Sequence, residues 1–232
     1  MKRFYRQVTV APDPAGWQVL LDERAIKTAG GRPQTVPSRA LAEAMAAEWD
    51  AQGEEIDPDT LKLRHLADYM IDIVAPARGK AIRGLLPYGE TDTLCYRAEA
   101  GEALHARQLK VWEPLILAAE QRWDVHFDRV AGVIHRHQPL ATLARMESVL
   151  ETHSDIDLAA LCLLASLSAS LIIALAAVSG DAQPEAMWQA ANLEEDWQAE
   201  LWGKDAEASA HRARRYVDFS AAIRFAQLAR SS

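Results

Sequence analysis

Apolar and polar residues alternate through the first 37 residues, which is the period of a β-strand with one buried face. Phe4, Val8 and Val10 share one side of such a run, and a second run extends from Trp17 to Leu21. The segment between them, Asp13-Pro14-Ala15-Gly16, has the composition of a tight turn. Two shorter runs complete a predicted small antiparallel β-meander: 25–28 and 34–36.

From residue 38 the apolar spacing changes to three and four, which is the period of an α-helix. Leu41, Ala44, Met45 and Trp49 fall on one face of the first helix, and Ser38 is its predicted N-cap. Later helices are predicted as one that ends near Pro76, a short one that runs to Pro87, and five over 104–123, 140–151, 156–178, 184–202 and 205–230.

These patterns predict an α+β fold. A small N-terminal antiparallel β-rich part with inserted helices is expected over residues 1–90, and a larger all-helical C-terminal part over residues 91–232.

Segment 158–178 carries no charged residue and is long enough to span a bilayer. Serines and alanines dilute it, aspartates precede it, and no Lys/Arg cluster flanks it. We therefore expect a helix buried on all sides rather than a membrane span.

The formal net charge of -8 excludes a large basic surface of the kind that binds nucleic acid or anionic lipid. Cys95 and Cys162 lie far apart in sequence without a CxxC spacing, which predicts free thiols in a reducing compartment. The N-terminus has the features of neither a signal peptide nor a mitochondrial presequence.

Known catalytic and phosphate-binding motifs are absent from the sequence, which contains no GxxxxGK[ST], GxSxG or HExxH and no GxGxxG between a strand and a helix. No cofactor is predicted. His135 and His137 would point the same way from a strand, but no third ligand stands near them in sequence, so no metal is predicted either.

His65, Asp68 and Asp72 share one face of a predicted helix and resemble an acid/base group. A hydrolase built on them is one alternative function. The same positions border an apolar stripe, so a solvated face with a local His-carboxylate pair is favoured.

Helix 184–202 is the most informative segment. Its predicted core stripe consists of Ala186, Ala190, Leu193, Trp197 and Leu201. Of the three consecutive acids in this helix, Glu194 alone is expected to border the stripe, where a carboxylate needs a fixed partner.

The neighbourhood of this helix is acidic and rich in tryptophan. Seven acids stand against one base, Lys204, between residues 185 and 207: Glu185, Glu194, Glu195, Asp196, Glu200, Asp205 and Glu207. Three tryptophans lie close together here, and tryptophan is enriched at binding hot spots. A solvated helix face is the simpler interpretation of the acids, and the tryptophans favour recognition.

Seven short motifs occur in order along the chain: Lys2-Arg3-Phe4-Tyr5, Leu21-Asp22 with Lys27-Thr28, Val36-Pro37-Ser38, Glu48-Trp49-Asp50-Ala51-Gln52, Thr91-Asp92 with Tyr96-Arg97, Gln108 with Trp112-Glu113-Pro114, and Leu193-Glu194-Glu195 with Gln198 and Trp202-Gly203. Together they resemble the assembly chaperones that bind the α subunit of the catalytic head of F-type ATP synthase. The family usually has Gly where Glu23 stands, Pro where Ala29 stands, and Met-Pro where Leu61-Lys62 stands.

The resemblance implies a non-catalytic chaperone that holds the unassembled α subunit until the β subunit pairs with it. The implied partner-binding residues are Glu194, Glu195, Gln198 and Trp202. Trp49 and Trp197 are predicted to be structural residues because each lies on the apolar face of its helix. A monomer in the bacterial cytoplasm is expected, with mitochondrial relatives in the matrix. A self-associating scaffold is the remaining alternative.

Overall fold

The computed structural model describes residues 1–132, 135–180, 183–203 and 205–231. The chain packs into two compact units, neither of which is continuous in sequence. The first comprises Met1–Arg78, Ser154–Ala160 and Ala221–Ser232, and the second comprises Gly79–His153 and Leu161–Ser220. The α+β prediction is confirmed, whereas the division at residue 90 stays a prediction.

The first unit contains four antiparallel strands, β1 (Val8–Asp13), β2 (Gly16–Leu21), β3 (Arg24–Ala25) and β4 (Thr35–Val36). The predicted turn joins β1 to β2, with Asp13 opposite Gly16. The simple meander was wrong in one respect, because β3 and β4 both pair with β2. One edge of β2 pairs with β1. The opposite edge pairs with β3 at residues 20–21 and with β4 at residues 17–18, so β2 is the central strand of the sheet.

The turn between β2 and β3 uses the left-handed backbone region. Asp22 and Glu23 have φ values of 46° and 68°. A side chain at such a φ is disfavoured by contact between Cβ and the backbone, and glycine avoids this contact. The expectation of glycine at the position of Glu23 agrees with this backbone conformation.

Helix α1 (Arg39–Asp50) begins as predicted, since the Ser38 side chain accepts a hydrogen bond from Leu41 N at 3.1 Å. Its predicted inner face is confirmed: Leu41, Ala44, Met45 and Trp49 are all buried. Burial of this face against the sheet stabilises the unit through removal of apolar area from water.

Helix α2 (Lys62–Tyr69) continues through a π-helical turn, Met70–Val74, and a 3-10 turn, Ala75–Ala77, to α3 (Arg78–Glu90). The predicted end near Pro76 was therefore wrong. Proline is tolerated in the first turn of a helical segment, where its missing N–H leaves no bond unmade, and the 3-10 turn provides that position.

Beyond α3 the chain is mostly helical. A two-stranded parallel pair, β5 (Tyr96–Arg97) and β6 (Val130–Ala131), flanks α4 (Ala103–Trp123), which passes through Pro114 unbroken. The remaining helices are α5 (Leu140–Glu151), α6 (Asp155–Ser168), α7 (Leu171–Val178), α8 (Pro184–Ala191), α9 (Leu193–Trp202) and α10 (Ala206–Ala229).

The single helix predicted over 156–178 is two helices, α6 and α7. Ala169 breaks the helix with a φ of 49°, and Ser170 begins α7 by accepting a hydrogen bond from Ile173 N at 3.0 Å. Nearly all of α7 is buried, as expected of a helix that is apolar on all sides. Among the described residues, no helix combines the length and apolar character needed to cross a bilayer.

Candidate functional site

The helix predicted over 184–202 is also broken. Asn192 departs from helical geometry, and its side chain donates to the Trp188 carbonyl at 2.8 Å. The break changes the rotation of α9 relative to α8. The predicted apolar stripe was therefore wrong at its first and last residues. Ala186 is exposed and Leu201 is 57% exposed, while Trp197 is only half-buried.

The partner that Glu194 needs comes from this chain. Gln108 Nε2, on α4, donates to Glu194 Oε1 at 2.7 Å. Gln108 is completely buried, and its Oε1 accepts from Ala98 N at 2.8 Å, so the amide orientation is determined at both ends. Glu194 is thus an exposed carboxylate held in one position by a buried amide.

Trp112 and Arg97 build the support beneath this contact. The buried Trp112 indole donates to the Ala190 carbonyl at 2.8 Å, which ties α4 to α8. The Arg97 guanidinium lies 5.3 Å from the Trp112 ring centroid and pairs with Glu113 at 3.0 Å. Burial lowers the pKa of Arg97, and the Glu113 carboxylate opposes that change. The motif that contains Trp112 and Glu113 therefore positions α8 and α9.

Asp196 and Glu200 are engaged by arginines. Asp196 forms a two-pronged ion pair with Arg212 of α10, one prong at 2.8 Å. Glu200 forms another with Arg107 at 2.6 and 2.8 Å, and the Arg107 guanidinium lies 5.7 Å from the Trp197 ring centroid. The expectation that Glu194 alone of the three acids borders the apolar face was wrong, because Asp196 is less exposed than Glu194 or Glu195.

The remaining predicted site residues line one groove. Glu195, Gln198 and Trp202 border a cavity of about 530 Å³ formed by α8, α9 and α10, with Trp188 and Tyr216 on its wall. In the part of the chain that the structure describes, the Glu195 and Gln198 side chains make no hydrogen bond or ion pair. Trp202 is 79% exposed, so a large aromatic surface is open to a partner.

Glu194 precedes Glu195 on α9 but is not a lining residue of this groove, and its contact is with Gln108 on α4. The structure therefore brings three of the four predicted contact residues together and places the fourth beside them. Gln108 and Arg107, which position the acids of α9, were missed as supporting residues. Gln108 could have been suspected because it stands within one of the ordered motifs.

Trp49 lies in the first unit and is 6% exposed. Its carbonyl accepts from the Tyr5 hydroxyl at 2.6 Å, and the two rings meet edge to face with centroids 5.7 Å apart. The preceding Glu48 accepts from Leu63 N and Arg64 N, which begin α2, and burial raises the pKa of Glu48. These contacts support the structural role predicted for Trp49, which stays a prediction.

Asp68 and Asp72 have partners that account for them without catalysis. Gln34 Nε2 donates to the buried Asp68, which also pairs with Arg64 at 3.4 Å. Asp72 accepts from Thr28 Oγ1 at 2.9 Å and Gly30 N at 2.7 Å. Both aspartates thus anchor the segment between β3 and β4, and His65 beside them is exposed.

Comparisons with known proteins agree on one family. A family model described as the ATP12 chaperone protein matches residues 2–120. Atp12 from Paracoccus denitrificans, solved also as a point mutant, is 37% identical with a TM-score of 0.92 over 99% of this chain and 98% of that chain. The Atu1473 protein of Agrobacterium tumefaciens is 39% identical with a TM-score of 0.92, over 97% and 85% respectively.

Proposed function

This chain belongs to the ATP12 chaperone family, and from that premise we propose that it is an assembly chaperone of F-type ATP synthase that binds the unassembled α subunit. It covers the surface of that subunit which later contacts the β subunit. Binding uses the exposed face of α9, with Glu194, Glu195, Gln198 and Trp202 as contact residues.

The observation that carries the proposal is the exposed Trp202 at the rim of the groove. A tryptophan side chain exposed by 79% is a large apolar surface left in water, and such residues are enriched among those that dominate binding energy. Leu201, the preceding residue, is also exposed, by 57%.

The acidic residues around this apolar surface favour a complex that can dissociate. A permanent subunit interface is large and mostly apolar, so an unassembled subunit exposes a patch prone to aggregation. A chaperone must cover that patch and then leave. Glu194 and Glu195 add polar contacts that speed association and confer specificity without the affinity of a fully apolar interface.

Co-expression with the α subunit tests the proposal. The chain is expected to keep the α subunit in the soluble fraction, and Trp202→Ala should weaken binding about 30-fold, since loss of a hot-spot residue costs about 2 kcal/mol. Leu140→Ala is the matched control, because Leu140 is 84% exposed and lies outside the groove.

The charge contribution needs two variants of different severity. Glu194→Gln keeps an oxygen for Gln108 Nε2 and removes only the charge, whereas Glu195→Lys reverses a charge that has no partner among the described residues. Both should reduce recovery of the soluble α subunit, and Glu147→Lys on α5 should not. Recovery equal to wild type in both variants and in Trp202→Ala would remove this face as the binding site.

A further inference from the structure

His135, His137 and Glu90 form a cluster in the second unit that the chaperone function does not use. One possible ligand atom from each residue can be chosen so that all lie within 4.8 Å of one another. His137 Nδ1 is 2.6 Å from Glu90 Oε1, and His135 Nε2 is 3.7 Å from the same oxygen. We propose that these three side chains bind a first-row transition metal dication such as Zn²⁺.

The ligand spacing fits such an ion. Bonds of 2.0–2.2 Å at tetrahedral angles place neighbouring ligand atoms about 3.3 Å apart. The two distances from Glu90 Oε1 lie on either side of that value. The His137 side chain is 86% exposed, and its ring meets the His135 ring edge to face with centroids 4.7 Å apart, so the two imidazoles already lie side by side. Two imidazoles and a carboxylate also match the ligand preference of zinc and leave a position for water.

A neighbouring hydroxyl orients one of the imidazoles. The Tyr96 hydroxyl is 3.1 Å from His135 Nδ1. When Nδ1 carries the proton and donates it to Tyr96, Nε2 presents its lone pair, and Nε2 is the nitrogen that lies nearer Glu90. Metal-binding histidines commonly use their second nitrogen in such a bond, which raises the basicity of the ligating one.

The backbone that carries the histidines is tied to the helix that carries the carboxylate. Gln138 is buried, and its side chain exchanges two hydrogen bonds with the Asp128 backbone at 2.8 and 3.1 Å. Its own N–H donates to Glu90 Oε2 at 3.3 Å, which leaves Oε1 for the histidines. The ligands therefore come from two segments already joined at one end of the site.

The helix dipole favours a cation at the same point. Glu90 is the last residue of α3, a helix of 13 residues whose carbonyl end carries partial negative charge. The sequence alone did not indicate this site because Glu90 precedes His135 by 45 positions. Folding supplies the third ligand that the two histidines lack in sequence.

Zinc titration of the complete chain, freed of any histidine tag and stripped with EDTA, tests the site. Calorimetry with ZnCl₂ should show one site per chain, and His135→Ala and His137→Ala should each weaken it at least about 10-fold. His211→Ala is the matched control, since His211 is an exposed histidine on α10, and it should leave the affinity unchanged. Tyr96→Phe should weaken binding while preserving the stoichiometry.

Imidazole NMR signals provide a readout that does not depend on affinity. Of the seven histidines, only His135 and His137 should shift on addition of one equivalent of Zn²⁺. The proposal would be overturned if the signals of all histidines shifted equally, or if His211→Ala and His137→Ala lost the same zinc affinity. It would also be overturned if the wild-type chain did not bind zinc. In those cases the cluster is a hydrogen-bonded group of a carboxylate and two imidazoles only.

Discussion

A single hydrogen bond changes the role that is assigned to Glu194. Its position on α9 indicates a carboxylate that needs a partner, and Gln108 provides one at 2.7 Å. The need was predictable from helical phase and residue type, but the donor was not, because Gln108 lies 86 positions earlier. Loss of activity in a charge-reversed Glu194 would therefore mix a lost contact with a broken support, whereas Glu194→Gln separates them.

Asp92 is a second residue whose role depends on distant sequence. It is completely buried and accepts from Leu94 N at 3.1 Å and from Ile172 N, at the start of α7, at 2.9 Å. Burial raises its pKa to about 6, against which the backbone hydrogen bonds act only partly. The folded chain therefore holds a proton at Asp92 that the unfolded chain releases near pH 4.

The sign of the resulting pH dependence follows from this difference. Between about pH 4 and pH 6 the folded state binds more protons than the unfolded state, so the stabilisation from Asp92 is lost as pH rises through this window. The change is on the order of 3 kcal/mol over the window. Urea unfolding measured across pH 4 to 7 should show that the advantage of wild type over Asp92→Asn declines with pH.

Asp22 is a control of opposite sign. Hydrogen bonds from Gln7 N and Arg6 N lower the pKa of Asp22, so its stabilisation is present above the unfolded pKa and is lost as pH falls. The difference between wild type and Asp22→Asn should therefore stay nearly constant from pH 4 to 7 and shrink only below about pH 4. An advantage over Asp92→Asn that grows with pH would contradict the assignment for Asp92.

At the scale of elements, local signals determined which helices could be predicted. Helix α1 was predictable because Ser38 is a good N-cap and the apolar residues follow one face. The break after α6 was not, since alanine favours helix and no strong breaker stands at residue 169. A distant residue of the second unit stabilises the break. The Ala169 carbonyl accepts two hydrogen bonds from Thr93, one from its backbone N at 3.1 Å and one from its Oγ1 at 2.9 Å.

The same limitation explains the errors at α8, α9 and the sheet. Asn192 is a weak helix former that does not end helices by itself, and at the break both its backbone N–H and its side chain donate to the Trp188 carbonyl. The pairing of β4 with β2 brings together residues 17 and 36 across an intervening strand and turn. Periodicity identifies elements, whereas these contacts determine where one helix stops and which strand pairs with which.

Ala169→Gly tests the account of the break between α6 and α7. Ala169 has a φ of 49°, a conformation that costs an alanine about 1 kcal/mol and costs glycine almost nothing. The substitution should raise the free energy of unfolding by about 0.5–1 kcal/mol, measured by urea unfolding.

Ala144→Gly is the matched substitution within a regular helix. Ala144 is exposed in the interior of α5, where glycine should lower the free energy of unfolding by about 1 kcal/mol. If both substitutions destabilised the chain equally, backbone strain at Ala169 would have no measurable effect on stability.

At the scale of the whole molecule, the ordered motifs divide into those that support the fold and those with residues of the proposed contact surface. Those in the first unit build its own fold, since Arg3 donates to the Gln52 carbonyl at 2.6 Å and Tyr5 to the Trp49 carbonyl. In the second unit, Arg97, Gln108 and Trp112 position α8 and α9. The open side chains at the groove, Glu195, Gln198 and Trp202, are the contact residues of the proposed function.

The family could be predicted from these motifs because they occur in order along the chain, although each is short. The proposed contact surface could be predicted only in outline. Its acids and tryptophans stand close in sequence, whereas the groove depends on α10, which follows α9 and returns Tyr216 to the wall.

Displacement by the β subunit tests the central claim most directly. The purified chain should form a complex with the isolated α subunit, and addition of the β subunit should release the chain as the two subunits pair, which size-exclusion chromatography can follow. Trp202→Ala should bind the α subunit about 30-fold more weakly, so less of the first complex should be recovered at the same concentrations. Stable retention of the chain on an α–β pair would contradict the claim that it covers the surface used by the β subunit.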